Sequence, residues 1–577
     1  MTSKPNIRQA ENPIRKNLTS LALGRPRFAD VDLERIARSE GSLAAWERAY
    51  DHLGTDMAKV VSGEFAIGLV RADGETFLAV DRFAIRTLCY RLDGDRLRFA
   101  ERADELTDEL DIKASSKQAE IDPQAIFNYL YLHAIPSPQT IFKGIFRVPP
   151  AHYVLFKDGK LTVAPYWVPE FRESGKHDFQ SLRDEFRHLL QQAVTRQLDG
   201  GKPGCFLSGG TDSSTVAGML GLACGRPAAT YSIGFQAEGY DEMEFARIAA
   251  RQFKTEHHEY YVTPDDLVRS IADVASHYDQ PFGNSSALPA YYCAKMAKED
   301  GVTRILAGDG GDELFGGNSR YAKQRIFNWY SLIPGVLRSG LMEPLLGTAL
   351  AGRLPLVRKA ASYVEQASVP MPDRLKMYNL ITRLGTAEAL TPEFLSQIEQ
   401  DSPLRLQREV WRSADAASET NRELAFDWRF TLAESDLPKV CGTTRLAGLE
   451  VGFPMLDDDL LAFSLRLPTD FKLKRLKLRW FFKEALRGFL PDEILTKKKQ
   501  GFGLPFGVWL TRHDALRTLA TESVYGLAER GVLRTDFVEA LVTKRLYEHP
   551  GYFGEMIWIS MILEQWLRTH APAFSVR

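Results

Sequence analysis

The chain has few cysteines and almost no excess charge. Cys89, Cys205, Cys224, Cys293 and Cys441 are all the cysteine in 577 residues. They form no CxxC pair and their number is odd, which argues against a disulfide framework or a zinc knuckle and suits a reducing, cytoplasmic compartment. With 73 Lys and Arg against 75 Asp and Glu, the net charge is -2. That balance excludes a chain that grips nucleic acid by bulk electrostatics, because counterion release needs a clustered positive surface. Long hydrophobic runs are missing too. The most apolar stretch, Ser331 to Val357, is cut by Arg338, Glu343, Arg353 and several prolines and glycines, so no bilayer span is expected. No apolar segment follows the charged start MTSKPNIRQAENPIRKN as it would in a signal peptide. What is present is ordinary globular material, 44% hydrophobic and 26% charged, enough for large cores in several domains.

Two rhythms divide the chain. From Gly63 to Tyr166, short apolar runs (FAIGLV, TFLAV, LRFA, HYVLF) are separated by turn pairs at Asp73-Gly74, Asp93-Gly94 and Asp158-Gly159. They read as antiparallel hairpins with a helical insertion over Pro123 to His133. After a polar stretch at 168–180, Leu182, Phe186, Leu189, Leu190 and Val194 mark one face of a helix. Strands and helices then alternate: GCFLS, a helix from Asp212, AATYSIGF, a helix from Asp241, HHEYYV, two more helices, and TRILAGD. Such alternation implies right-handed crossovers and a parallel sheet covered on both faces. Beyond Leu314 the pattern reads as helix without clear strands. The expected division is 1–172 and 173–577.

The sharpest chemical signal is FLSGGTDSST, Phe206 to Thr215, between an expected strand and an expected helix. Paired glycines let the backbone approach an anion, Ser208, Ser213 and Ser214 add hydroxyls, and the helix start turns free N–H groups to the same place. No lysine follows the glycines, so this is not the phosphate loop of kinases and GTPases. A second glycine-rich loop, LAGDGGDELFGG from Leu306 to Gly317, carries Asp309, Asp312 and Glu313. Alone, it could equally be a solvated acidic loop whose carboxylates cap a helix. His257 and His258, adjacent in a strand, point to opposite faces and read as structural. Cys89 reads as a small buried hydrophobe.

SGGTDSS resembles the pyrophosphate loop of the N-type ATP pyrophosphatases. Together with DQPFGNSSALPAYY, LAGDGGDELFGGNSRY, GLEVGFPMLDDDL and LPDEILTKKKQGFGLPFGVWL, it makes residues 63 to 510 similar to the glutamine-dependent asparagine synthetase family, whose relatives include beta-lactam synthetases and lasso-peptide cyclases. The resemblance implies an Ntn-hydrolase-like antiparallel β-sandwich, then a parallel-sheet ATP pyrophosphatase domain with a helical C-terminal extension. It implies ATP and Mg2+ as cofactors, activation of a carboxylate as acyl-AMP, and amide formation with ammonia or an amine. Aspartate is the default substrate; an intramolecular or peptide-tailoring synthetase and a non-catalytic scaffold are the rivals. On the same footing, Leu207, Ser208, Gly209, Gly210, Asp212, Ser213, Ser214, Ile233, Gly308 and Lys499 would contact ATP, and Asp212 and Asp312 would hold the metal. Asp309 would handle the incoming amine, and either Lys477 or Arg479 would stabilise developing charge. Lys497 and Lys498 read as solvated surface charge. The family's Met-Cys-Gly start, whose cysteine attacks glutamine, has no counterpart in Met1-Thr2-Ser3, with Thr2 an alternative nucleophile after removal of Met1. The first domain is therefore expected to be degenerate, with nitrogen coming as ammonia, from an amine or from a partner, unless the true start lies upstream. A homodimer is compatible with all of this.

Overall fold

The structure, a computed structural model, describes residues 19–107, 120–173, 178–237, 239–331, 333–334, 355–497 and 503–576. The N-terminal part is built on antiparallel sheets. One has five strands in the order Leu21–Gly24, Phe65–Val70, Thr76–Val80, His152–Lys157 and Lys160–Pro165. The other places Cys89–Asp93 between Arg96–Ala100 and Phe146–Arg147. Ala66, Leu78, Val80, Tyr90, Leu97 and Val154 fill the space between them. The opposite face of the larger sheet is covered by the helices Val31–Glu40 and Ser42–Leu53, which bury Trp46 against Phe65. Asp30 caps the first of these by accepting from the N–H groups of Asp32 and Leu33.

The helix Pro123–Leu132 matches its sequence signal and ends at His133 in the left-handed conformation. Eight of its residues are buried, from Pro123 to Tyr131. Its apolar side joins the C-terminal helix Pro550–His570 in one core containing Ile126, Phe127, Leu130, Trp558, Ile562 and Trp566. The Tyr129 hydroxyl donates to the Ile559 carbonyl at 2.8 Å. The two parts of the chain thus share interior surface, which ties their stabilities together.

The remaining large sheet is all-parallel, in the order Glu256–Val262, Ala229–Phe235, Pro203–Phe206, Arg304–Leu306, Glu450–Gly452. The chain builds outward from Pro203–Phe206 in one direction, then returns to build in the other from Arg304–Leu306. The strand order reverses between those two neighbours, and in open α/β sheets the crevice beyond the carboxyl ends at such a point receives ligands. Glu450–Gly452 corrects the expectation of no strands after Leu314, as does the small hairpin pairing Leu473–Lys474 with Lys477–Leu478. Elements of two or three residues are too short to show a period.

Buried charge joins the N-terminal part to the rest of the chain. Arg304, 1% exposed, donates to Glu64 at 2.8 Å and to Gln197 at 2.7 Å. Glu434, also buried, accepts from the Ser137 backbone at 3.0 Å and hydroxyl at 2.8 Å, and it pairs with Arg147 and Arg429. Burial alone would raise its pKa, but the two guanidinium groups hold it below the ordinary glutamate value. No helix among the described residues is long and apolar enough to cross a membrane.

Candidate functional site

A cleft of about 1020 Å³ opens at the reversal point of the parallel sheet. Its floor comes from the segments that leave the two neighbouring strands. After Phe206 the chain passes through Leu207 and Ser208 into the helix Thr211–Cys224. Gly210 occupies the N-cap without a side-chain cap, which leaves the first helical N–H groups to other partners. The loop is tied across itself: the Ser208 amide donates to the Ser213 hydroxyl at 3.1 Å, and the two hydroxyls lie 3.1 Å apart. After Leu306 the chain runs through Gly308 and Asp309 into the short helix Gly311–Phe315. The loops interlock at Gly311, where a β-carbon would stand 2.2 Å from Asp212 Oδ1. Only glycine permits that approach.

The hairpin Leu473–Leu478 delivers a third component. Arg479 follows it with a left-handed backbone (φ 55°) and is 4% exposed. Its Nη1 donates to Thr211 Oγ1, Asp212 Oδ2 and Asp312 Oδ1, each at 2.8 Å, and its Nη2 bonds Asp212 Oδ1. Burial works against the charged guanidinium, but the two carboxylates outweigh it and raise its pKa. Asp212 and Asp312 therefore converge on one point and hold a cation there, the guanidinium. Hard-oxygen donors on either side of a shared point are also what a magnesium ion requires, so the pair fits such an ion.

The structure brings Leu207, Ser208, Gly210, Asp212, Ser213, Ile233, Gly308, Asp309, Asp312, Lys477 and Arg479 to this cleft. Gly209 lies behind it against Phe245 and Ala246, and Ser214 is fully buried. Arg479 and Lys477 separate clearly: the arginine is enclosed between the carboxylates, whereas the lysine is exposed at the rim. Lys499 and Lys498 fall outside the described residues. Lys497 corrects its expectation as solvated charge. Its side chain is 8% exposed, 2.9 Å from Glu242 and over the Phe245 ring, because the segment folds back onto the helix Met243–Phe253. His257 lies 2.9 Å from Thr230 Oγ1, and His258 stacks on Tyr231 with its Nε2 3.4 Å from Asp300.

Sequence reasoning missed a second charged group in the cleft. Lys439 Nζ lies 3.3 Å from both Asp309 and Asp436. Burial opposes its charge, but the two aspartates prevail and raise its pKa; burial likewise pushes Asp309 up while Lys439 draws it down. Asp436 closes the π-helix Trp428–Asp436, and Lys439 sits one turn on. Their spacing of three was legible as a helical ion pair, but nothing local marked it as part of a site. Lys483 also lines the cleft, its pKa lowered by burial and by Arg479.

A glycine-rich turn and a carboxylate-bearing loop at the reversal point of a parallel sheet, behind an antiparallel N-terminal part, define an α/β nucleotide-site protein carrying an amidotransferase-type domain. The chain belongs to the asparagine synthase family, whose model matches residues 185–568; the glutamine amidotransferase domain model matches residues 38–167. It is similar to asparagine synthetase [glutamine-hydrolyzing] 1 of Bacillus subtilis (strain 168), 27% identical over 484 residues, 82% of this chain and 73% of that protein. Asparagine synthetase [glutamine-hydrolyzing] 3 of the same organism is 26% identical over 445 residues, 74% of this chain and 64% of its own. A fungal relative, amidase chyE of Penicillium rubens, is 23% identical over 498 residues, 80% and 72% of the two chains.

Proposed function

We propose that the chain is an ATP-dependent amidoligase. It activates a carboxylate, aspartate by default, as acyl-AMP with release of pyrophosphate, then forms an amide with ammonia or an amine as AMP leaves. The observation that carries this reading is the meeting of Asp212, Asp312 and Arg479 beside an uncapped helix start at the sheet reversal. In this assignment the chain divides into 1–172 and 173–577. Ser208, Gly210 and Ser213 hold the departing pyrophosphate through hydroxyl and backbone donors. The adenine lies toward Ile233 at the strand end. Asp212 and Asp312 would hold Mg2+, which supplies charge neutralisation at the phosphates when bound. Arg479 and Lys483 stabilise charge that grows on the leaving oxygens; arginine does this without donating its proton. Lys439, kept charged, fixes Asp309 on the opposite wall, where Asp309 accepts the proton of the attacking amine.

The test is pyrophosphate release by the full chain with ATP and Mg2+ across a panel of carboxylates, with ammonium or glutamine as nitrogen source. Aspartate-dependent release with asparagine as product is expected. Turnover that ignores aspartate but follows another carboxylate would replace the default substrate, and no release with any of them would remove the reading. Glutamate formed from glutamine would show that the N-terminal domain is a working glutaminase.

A further inference from the structure

The cation between Asp212 and Asp312 is one of the protein's own side chains, and that has a consequence for how metal and nucleotide bind. Arg479 Nη1 is 2.8 Å from Asp212 Oδ2 and from Asp312 Oδ1, while Nη2 takes the other oxygen of Asp212. A divalent ion bound by the same oxygens at about 2.1 Å would overlap the guanidinium and repel it. The arrangement is built for the arginine. At Gly317 a β-carbon would stand 1.7 Å from Asp312 Oδ1 and 2.6 Å from Arg479 Cδ. The guanidinium also lies 4.0 Å over the Phe482 ring. Yet the side chain is not fully satisfied there, since its buried Nε finds no hydrogen-bond partner among the described residues. An arginine fork with a donor to spare, set beside the SGGTDSS loop, is matched to phosphate oxygens as well as to carboxylates.

We propose that Arg479 is a place-holding cation. In the free protein it neutralises Asp212 and Asp312 and excludes free divalent metal; metal arriving with a triphosphate displaces it, and the guanidinium turns from the carboxylates to a phosphate. Metal and nucleotide therefore bind together, each weak without the other, because the triphosphate offers the arginine the anion it must exchange for the two aspartates. The inference rests on the ATP-using reading of the site and specifies its binding order.

Mn2+ serves as the probe, with bound ion measured as the Mn2+ retained with the protein by an ultrafiltration membrane that passes both free Mn2+ and its ATP complex, with and without ATP and with no carboxylate present. Wild-type protein is expected to bind Mn2+ weakly alone and more tightly with ATP. Arg479→Gln should bind Mn2+ alone tighter than wild type by roughly tenfold or more, and should gain less from ATP. Equal Mn2+ affinity of wild type and variant without ATP overturns the proposal. Should Arg479→Gln not fold, Arg479→Met decides: it keeps an unbranched apolar stem and removes the charge, so it too must bind free Mn2+ tighter than wild type, and a wild-type value overturns the proposal. Failure of ATP to promote Mn2+ binding in any of the proteins would instead remove the nucleotide reading itself.

Discussion

Asp81, just past the end of the strand Thr76–Val80, and Asp212, in the first turn of the helix Thr211–Cys224, are both aspartates, and they do opposite things. Asp81, in the antiparallel part, is 2% exposed and spends its carboxylate on four backbone N–H groups, of Phe65, Phe83, Ile85 and Arg86. Burial pushes its carboxyl up to about 7 against the pull of those donors. Asp212, in the parallel part, faces a cleft and shares a cation with a second carboxylate. A carboxylate surrounded by fixed backbone donors is a fastener. One that meets an opposed carboxylate across a gap can exchange partners. The same contrast separates Glu434, enclosed by Ser137, Arg147 and Arg429, from Asp309, which shares Lys439 with Asp436 at the cleft wall.

The largest effect should come from breaking the exchanging group. Asp212→Ala is expected to lower pyrophosphate release by roughly a hundredfold or more, since it removes one half of the carboxylate pair to which the proposed function assigns the phosphate-neutralising metal. Near-wild-type release would erase the distinction drawn between the two aspartates. Glu434→Ala should act on stability first: it strands two partly buried guanidinium groups, and a denaturant titration should show a loss of roughly 3 kcal/mol. If instead the variant melts like wild type, the junction does not fasten the two parts. Asp81→Ala leaves four N–H groups, two of them buried, without their acceptor and should destabilise by about 2–3 kcal/mol, with ATP-dependent Mn2+ binding retained in the protein that stays folded. Loss of that binding in folded protein would mean that the fastener also shapes the cleft.

The last effect is a dependence on pH, expected at Lys472, a fully buried lysine that donates to Asn421 Oδ1 at 3.0 Å beneath Phe171 of the connecting segment. Burial lowers its pKa from 10.5 to about 7. Between those values the unfolded chain carries a proton that the folded one does not. Stability attributable to this group is therefore complete above pH 10.5 and lost as the pH falls through about 7. Urea midpoints of wild type should rise relative to Lys472→Met between pH 7 and pH 10, and parallel pH profiles would show that the lysine titrates normally in the folded protein.

Much of this was readable in advance because the relevant signals are local. The strand-loop-helix context of SGGTDSS and the turn pairs of the hairpins each lie within a dozen residues. Legibility failed where function depends on the meeting of distant segments. Lys477 and Arg479 are two places apart in one basic string, and only the hairpin Leu473–Leu478 and the left-handed backbone at Arg479 turn one outward and the other between the carboxylates. Lys497 looked solvated because its partner Glu242 is more than two hundred residues away. Asp436 and Lys439 looked like an ordinary helical pair because Asp309 is supplied by another loop.

The sequence by itself determined the two architectures, antiparallel then parallel, and the two glycine-rich loops that flank the cleft, since apolar period and turn chemistry are properties of neighbouring residues. The tertiary structure decided which charges face one another. Whether an aspartate fastens backbone, as Asp81 does, or shares a cation, as Asp212 does, depends on what the fold brings to its oxygens.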